Sequence, residues 1–414
     1  MGMGTTLQRR ALIGWAGRLR GTAWSVALVF GAISGCGADS HEPPRSPAPA
    51  PVETSQPSPV ANPEAAPRAV EPAEAPNGVS EPEPPPPAPL PVTASLARGT
   101  GSPADDALAA GDKAYDADDF ATAEARYRQA MALAPKDAAA IVGLSRVAIA
   151  KTKLPTDFNA APGHPVLERA VTDLRRALRL DASFAPAHVE LGRALLMLGK
   201  ADAALGALRK AVELAPRDPE AHSGLGVALL ATGRAEEALS ELAKASDLDP
   251  GSAARKTNLG TALLMRGRVG EAVRAYETAA RLSPEDARIL GDLGTALLAD
   301  NQLARAVSVL KRAVSLDPSR ATLHSNLGYA LQQVRDMKGA IAEFREAIRL
   351  DDKLVSAWIN LATALAQEGD LVEARKALER AQKVDPTDPR VKANLEELRA
   401  LEKQGGNADA GRQR

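Results

Sequence analysis

The sequence predicts an all-α solenoid of about eight stacked helix pairs, on the strength of three observations. The glycines Gly192, Gly226, Gly260, Gly294 and Gly328 recur every 34 residues, the length of two short helices and their turns. Alanines recur 12 and 19 residues after each of those glycines, Ala204 and Ala211 being the first such pair and Ala340 and Ala347 the last. Apolar residues make up 45% of the chain but aromatic ones only 3%, so the apolar content is mostly Ala, Leu and Val, which suits close-packed helices better than sheets.

From the N-terminus, residues 1–35 read as an export signal. Met1 to Ala23 holds Arg9, Arg10, Arg18 and Arg20 and no acid; the apolar stretch from Trp24 to Ile33 is short for a bilayer span and ends in small residues. Ile33-Ser34-Gly35-Cys36 resembles the lipobox of bacterial lipoproteins. That resemblance implies cleavage before Cys36, a diacylglycerol on its thiol and an acyl chain on the new amino group. Two or more such chains hold a protein to a bilayer stably where one does not. Cys36 is the only cysteine, which excludes an internal disulfide and every multi-cysteine metal motif. The alternative is an incidental cysteine in a cleaved signal or a short anchor. Arg9-Arg10 before Ala11-Leu12-Ile13 also faintly resembles a twin-arginine signal.

Residues 36–103 read as a disordered linker. Between Gly37 and Ser102 stand 18 of the chain's 31 prolines, no aromatic residue, and eight acids against three arginines, a formal charge of −5. Such a composition buries too little apolar surface to offset its ordering entropy. Proline biases it to extended polyproline II, a reach on the order of 200 Å at full stretch. A spacer is the reading adopted; ligands for proline-binding modules are the alternative.

Residues 104–388 hold the repeats. With the glycine set at position 8, units begin at Ala104, Ala138, Ala185, Pro219, Ala253, Ala287, Ala321 and Val355. Leucine precedes the glycine in five of them (Leu191, Leu225, Leu259, Leu293, Leu327), position 24 is large (Leu208, Leu242, Tyr276, Leu310, Phe344), and Pro216, Pro250, Pro284, Pro318 and Pro386 close units at position 32. Positions 20 and 27 are alanine in all eight. This pattern resembles the tetratricopeptide repeat, W-x2-L-G-x2-Y, then A-x3-F, then P. The resemblance implies two antiparallel helices per unit and a right-handed superhelical solenoid, with small residues where backbones approach and proline ending the second helix. Unit 1 departs from the pattern, with Ala110 for leucine and Tyr115 one place late; unit 2 carries an insertion at 151–165 with Pro155, Pro162, Gly163 and Pro165. The insertion is either tolerated slack or a docking loop that exposes Phe158. After Pro386, residues 389–403 read as a capping helix with Leu395, Leu398 and Leu401, and 404–414 as a disordered tail.

Little points to chemistry. Net charge is −1 and pI about 6.6, so no overall field draws nucleic acid or anionic lipid. No Walker sequence, Gly-x-Ser-x-Gly or complete dinucleotide loop occurs. His188, His222 and His324 share position 4 with Lys256, Leu290 and Trp358, a mixture that argues for packing rather than a metal site. The expectation is no enzyme, no cofactor, no metal and no small-molecule substrate. The resemblance instead implies a concave groove lined by positions 2, 5, 6, 9, 12 and 13 of the first helices. Position 6 reads Asn258, Asp292, Asn326 and Asn360 in consecutive units, with Tyr329 and Met265 nearby as adaptable anchors. In related arrays an asparagine ladder there holds the backbone of an extended peptide, an amide offering both donor and acceptor. Ordinary polar filling is the alternative. The carboxylate clamp of chaperone-binding relatives is absent, since positions 5 and 9 hold pairs such as Val189 and Arg193, or Ser325 and Tyr329. The function expected is a lipid-anchored adaptor in the bacterial envelope, facing the periplasm from the outer membrane, whose groove binds extended segments of envelope proteins. It resembles lipoproteins that assist secretin and pilus assembly, or that gather cell-wall enzymes; a structural spacer or surface protein without a ligand is the alternative.

Overall fold

The computed structural model describes residues 95–154 and 158–412, with side chains to 402. The expected signal at 1–35, Cys36 and the linker as far as 94 lie outside the described residues. The described residues form helices and no strand: α1 (Pro103–Asp116), α2 (Phe120–Leu133), α3 (Ala138–Ala150), α4 (Pro165–Leu180), α5 (Ala185–Met197) and α6 (Ala201–Leu214). These are followed by α7 (Pro219–Ala231), α8 (Ala235–Leu248), α9 (Ala253–Met265), α10 (Val269–Leu282), α11 (Ala287–Ala299) and α12 (Leu303–Leu316). Then come α13 (Ala321–Gln333), α14 (Met337–Leu350), α15 (Val355–Glu368), α16 (Leu371–Val384) and α17 (Pro389–Arg412). Odd-numbered helices from α1 to α15 are first helices of units, and from unit 2 onward each begins at the residue the period marks.

The local chemistry sets these boundaries. Asp137, Asp218, Ser252 and Asp286 cap first helices, and Asp119, Asp336 and Asp370 cap second helices, each side chain accepting from a backbone N–H of the first turn. Between the two helices the chain turns through a left-handed residue: Gly199, Gly233, Gly267 and Gly369 at φ of 74°, 75°, 71° and 91°, and Asn301 at 59°. The crossings are close. A Cβ on Gly260 would stand 2.9 Å from the Tyr276 ring, and one on Gly328 would stand 2.7 Å from Phe344. Every alanine at positions 20 and 27 is buried, from Ala123 and Ala130 to Ala374 and Ala381. The apolar core runs in two stretches, units 1 to 4 and units 5 to the cap. Between them the seam holds Ser246, to which Lys256 donates at 2.6 Å, and buried Arg255, paired with Asp249 at 3.1 Å and Glu220 at 3.2 Å.

Three features differ from the sequence-based expectation. The linker was expected to run to 103, but Ser95 to Ser102 is packed on unit 1. Leu96 is fully buried there, and the Asp112 carboxylate accepts from Leu96 N at 2.7 Å, Ser95 Oγ at 2.9 Å and Tyr127 Oη at 2.8 Å. Arg98 donates to Asp181 at 2.9 Å and lies over Phe184, so the strap reaches the turn between units 2 and 3. The insertion does not expose Phe158, which is half-buried against the core; Asn159 N donates to the Leu196 carbonyl at 2.9 Å and Ala161 N to that of Met197 at 3.0 Å. Finally, α17 passes the expected end at Lys403 and the expected tail continues it to Arg412. No proline follows Pro389, and Gly405-Gly406 costs only about 1 kcal/mol per glycine, which weakens a helix without stopping it.

Candidate protein-binding groove

First helices of adjacent units lie side by side, so a position 6 side chain faces the helix before it. Asn258 Nδ2 donates to Ser223 Oγ of the preceding unit at 3.2 Å, and Asn326 Nδ2 donates to Thr295 Oγ1, also at 3.2 Å. Each amide therefore has one donor hydrogen engaged within the array. Asn360 is buried at 8% exposure, while Asp292 and Tyr329 are half-buried. Asp292 lies close enough to Tyr276 to act on it. Burial first, then the Asp292 charge, pushes the Tyr276 hydroxyl well above its ordinary range, so it stays neutral while sharing a 2.9 Å hydrogen bond with Thr261. The five residues singled out in the sequence thus fall on the first helices of adjacent units, and at Asn258 and Asn326 the row stitches units together.

The same register carries a charged pair at the other end. Arg146 of α3 and Glu190 of α5 meet at 2.8 Å, both 2% exposed, and Arg193 Nη1 lies 3.7 Å from the other Glu190 oxygen. The Arg146 guanidinium lies 5.5 Å from the centroid of the Tyr115 ring. Burial works to raise the Glu190 carboxyl, but Arg193 and Arg146 together outweigh it and hold it below its ordinary value. The Glu190 charge likewise raises Arg193 against its own burial. The signal was present in the sequence, as arginine at position 9 of units 2 and 3 and an acid at position 6 of unit 3. It was read there only against a clamp for acidic tails.

Units 4 to 7 present a milder lining. Val227, Leu230, Leu264, Met265 and Tyr329 are half-buried, and no lysine or arginine stands among positions 5, 6, 9, 12 and 13 of α7, α9, α11 and α13. Thr257 Oγ1 donates to the Ala253 carbonyl of its own helix, leaving its methyl toward other partners. In unit 3, where the insertion bonds to the Leu196 and Met197 carbonyls, the equivalent strip is closed: Leu196 is 4% exposed and Met197 not at all.

Position 4 has a local task that sequence reasoning described only as packing. His222 Nε2 donates to the Pro216 carbonyl and His324 Nε2 to that of Pro318, each at 3.0 Å, while their Nδ1 atoms face Glu241 at 2.6 Å and Glu343 at 2.7 Å. His188 Nε2 donates to Ala182 at 3.0 Å, and Trp358 Nε1 to Asp352 at 2.8 Å. In all four units a ring N–H closes the turn six residues earlier, which is why His and Trp interchange. Among the described residues no group of three or more His, Cys, Asp or Glu could hold a metal ion, and no helix is long and apolar enough to cross a membrane.

The period, the small-residue crossings and the helix pairs agree with two family profiles. A profile described as Tetratricopeptide repeat matches residues 331–398, and one described as Cilia and flagella-associated protein 70 C-terminal domain matches residues 163–354. The repeats are tetratricopeptide repeats. Among solved structures, the crystal structure of the APC/C hetero-tetramer Cut9-Hcn1 superposes with a TM-score of 0.55 at 16% identity, over 73% of this chain and 57% of that one. This chain thus spans little more than half the length of that relative, and the likeness is one of fold. Pseudomonas aeruginosa pilF has a TM-score of 0.45 at 22% identity over 53% of this chain and 98% of its own. YrrB, titled a TPR protein with an unusual peptide-binding site, has a TM-score of 0.37 at 23% identity over 46% and 97%. No curated protein matches the sequence.

Proposed function

We propose that this tetratricopeptide-repeat chain is a non-catalytic adaptor, held to a bacterial membrane through lipid on Cys36, whose groove in units 4 to 7 binds extended segments of envelope proteins. The observation that carries the reading is that lining: half-exposed Val227, Leu230, Leu264, Met265 and Tyr329 on α7, α9 and α13, with no lysine or arginine at positions 5, 6, 9, 12 and 13 of units 4 to 7 and Arg288 at position 2 of unit 6. Such a surface favours an uncharged segment over an acidic tail or nucleic acid. Support for the tether comes from Ile33-Ser34-Gly35-Cys36 and the proline-rich stretch behind it. The strap adds to it. Leu96 and Asp112 fix the chain to unit 1 directly after the linker, so a pull on the linker would be borne by buried contacts rather than by a frayed helix end.

An outer-membrane site facing the periplasm, with work in secretin and pilus assembly or in recruiting cell-wall enzymes, fits a long leash carrying a protein-binding array. The competing class is a spacer without a ligand. Cys36→Ala, fractionated beside the parent, tests the tether: the expected result is an uncut precursor or a soluble product. A correctly cut Cys36→Ala protein still found with membranes would overturn the lipid anchor.

A further inference from the structure

We propose that the groove edge of units 4 and 5 is a docking site for an extended segment of a partner protein that carries an asparagine flanked by apolar or small residues, in the arrangement that the chain's own insertion makes on unit 3. The inference rests on the adaptor reading and narrows its ligand.

On unit 3 the segment Phe158-Asn159-Ala160-Ala161 lies across the end of α5. Helix C-termini leave carbonyls without helical partners, and they carry the negative end of the helix dipole, so they attract N–H donors. The Met197 carbonyl is one of these and takes the Ala161 backbone N–H, while that of Leu196, which already accepts from Gly199 N at 2.9 Å, also takes the Asn159 N–H. Asn159 Oδ1 presses on Gly199 so closely that a Cβ there would collide with it. Leu196 and Met197 are both buried there; Leu298, at the position of Leu196 in unit 6, is buried without such a segment, so the full burial of Met197 is the distinctive feature.

The same chemistry recurs in the next two units with none of the described residues seated on it. Leu230-Ala231-Thr232-Gly233 ends α7 and Leu264-Met265-Arg266-Gly267 ends α9, each repeating a leucine, a small or flexible apolar residue and a left-handed glycine. Gly233 and Gly267 sit at φ of 75° and 71°, close to the 74° of Gly199, yet a Cβ on either would meet nothing within 4 Å. Leu230, Ala231, Leu264 and Met265 are half-buried where their unit 3 counterparts are covered. The Ala231 and Met265 carbonyls accept no hydrogen bond from the described residues, whereas that of Met197 does. Unit 6 departs by placing Asn301 at the turn, which puts a side chain where the ligand's asparagine would lie.

The test uses the full chain and a fluorescent peptide of residues 158–163, followed by anisotropy. The parent should bind it saturably. Gly233→Asn combined with Gly267→Asn should weaken binding about tenfold or more, since the contact and its two hydrogen bonds are lost at both turns. Asparagine already occupies this turn in unit 6, so the double variant should keep the parent's melting curve. Absence of saturable binding, or equal binding by the double variant, overturns the proposal. Concentration-dependent dimers that vanish in the double variant would assign the edge to a second copy and also overturn it. If Leu264→Arg abolishes capture of an envelope partner while the double variant retains it, the adaptor reading stands and this assignment of its ligand fails.

Discussion

Removing Arg146 should destabilise the array out of proportion to the one ion pair lost. The Arg146–Glu190 pair is 2.8 Å long with both side chains 3% exposed, so Arg146→Ala leaves a carboxylate in a site that water does not reach. Breaking such a pair on one side costs about 3–5 kcal/mol. Arg193, 3.7 Å away and 25% exposed, still offsets part of the Glu190 charge, which places the expectation near the lower end, about 3 kcal/mol. Replacing both partners, Arg146→Met with Glu190→Met, removes the stranded charge and keeps most of the volume, so it should cost about 1 kcal/mol or less, or even stabilise. The sign with pH follows from the depressed Glu190 carboxyl. Its contribution is complete above the ordinary glutamate value, about 4.3, and is lost as pH falls through the lower folded value, so acid should narrow the gap between the parent and the single variant, whose stranded carboxyl is relieved by taking up a proton. The assay is urea unfolding followed by circular dichroism at pH 7 and at pH 3. If the single and double variants lose the same stability at pH 7, the argument about a stranded buried charge is wrong.

Other consequences are simpler. Ala279 is fully buried at a helix crossing, so Ala279→Leu should cost roughly 1–3 kcal/mol, seen as a lower urea midpoint confined to units 4 to 6 by hydrogen exchange. Asn326→Ala removes the bond to Thr295 and should lower stability by about 0.5–1.5 kcal/mol; a melting curve identical to the parent's would show that this lateral bond carries no stability. Leu96→Ala should cost about 2–5 kcal/mol if the strap is part of the first unit, and next to nothing if the array starts at α1.

The period and crossings could be read directly because they are strictly local in repeat numbering. A glycine at position 8 and alanines at positions 20 and 27 are required wherever two backbones nearly touch, and the unit starts deduced from them coincide with the helix starts from Ala138 onward. The strap could not be read this way. Ser95 to Ser102 has the small and polar composition of the linker before it, and only Leu96, buried with a hydrogen bond to an acid 16 residues on, reveals that it is folded. The position 6 row was found as a row, but its partners lie one unit away in sequence, 31 residues back for Asn326 and 35 for Asn258, and nothing in a single unit announces them. Glu190 was hidden by the same distance, being 44 residues from Arg146. The insertion was marked by its prolines, yet its seat on α5 depends on Gly199 and on two helix-terminal carbonyls that no composition records. Position 4 shows the converse case. The scatter of His, Lys, Leu and Trp reads as packing, while the shared ring N–H that closes the preceding turn needs a carbonyl six residues earlier to be seen.

The central claim is that units 4 to 7 bind a protein segment through their first helices. A photo-crosslinking residue placed at Leu264, half-buried on the groove, can be compared in living cells with one at Lys311, exposed on the second helix of unit 6. The account predicts adducts from position 264 that map to one extended segment of an envelope protein, and none to that segment from position 311. Adducts from position 311 alone, or none from either position, would contradict it.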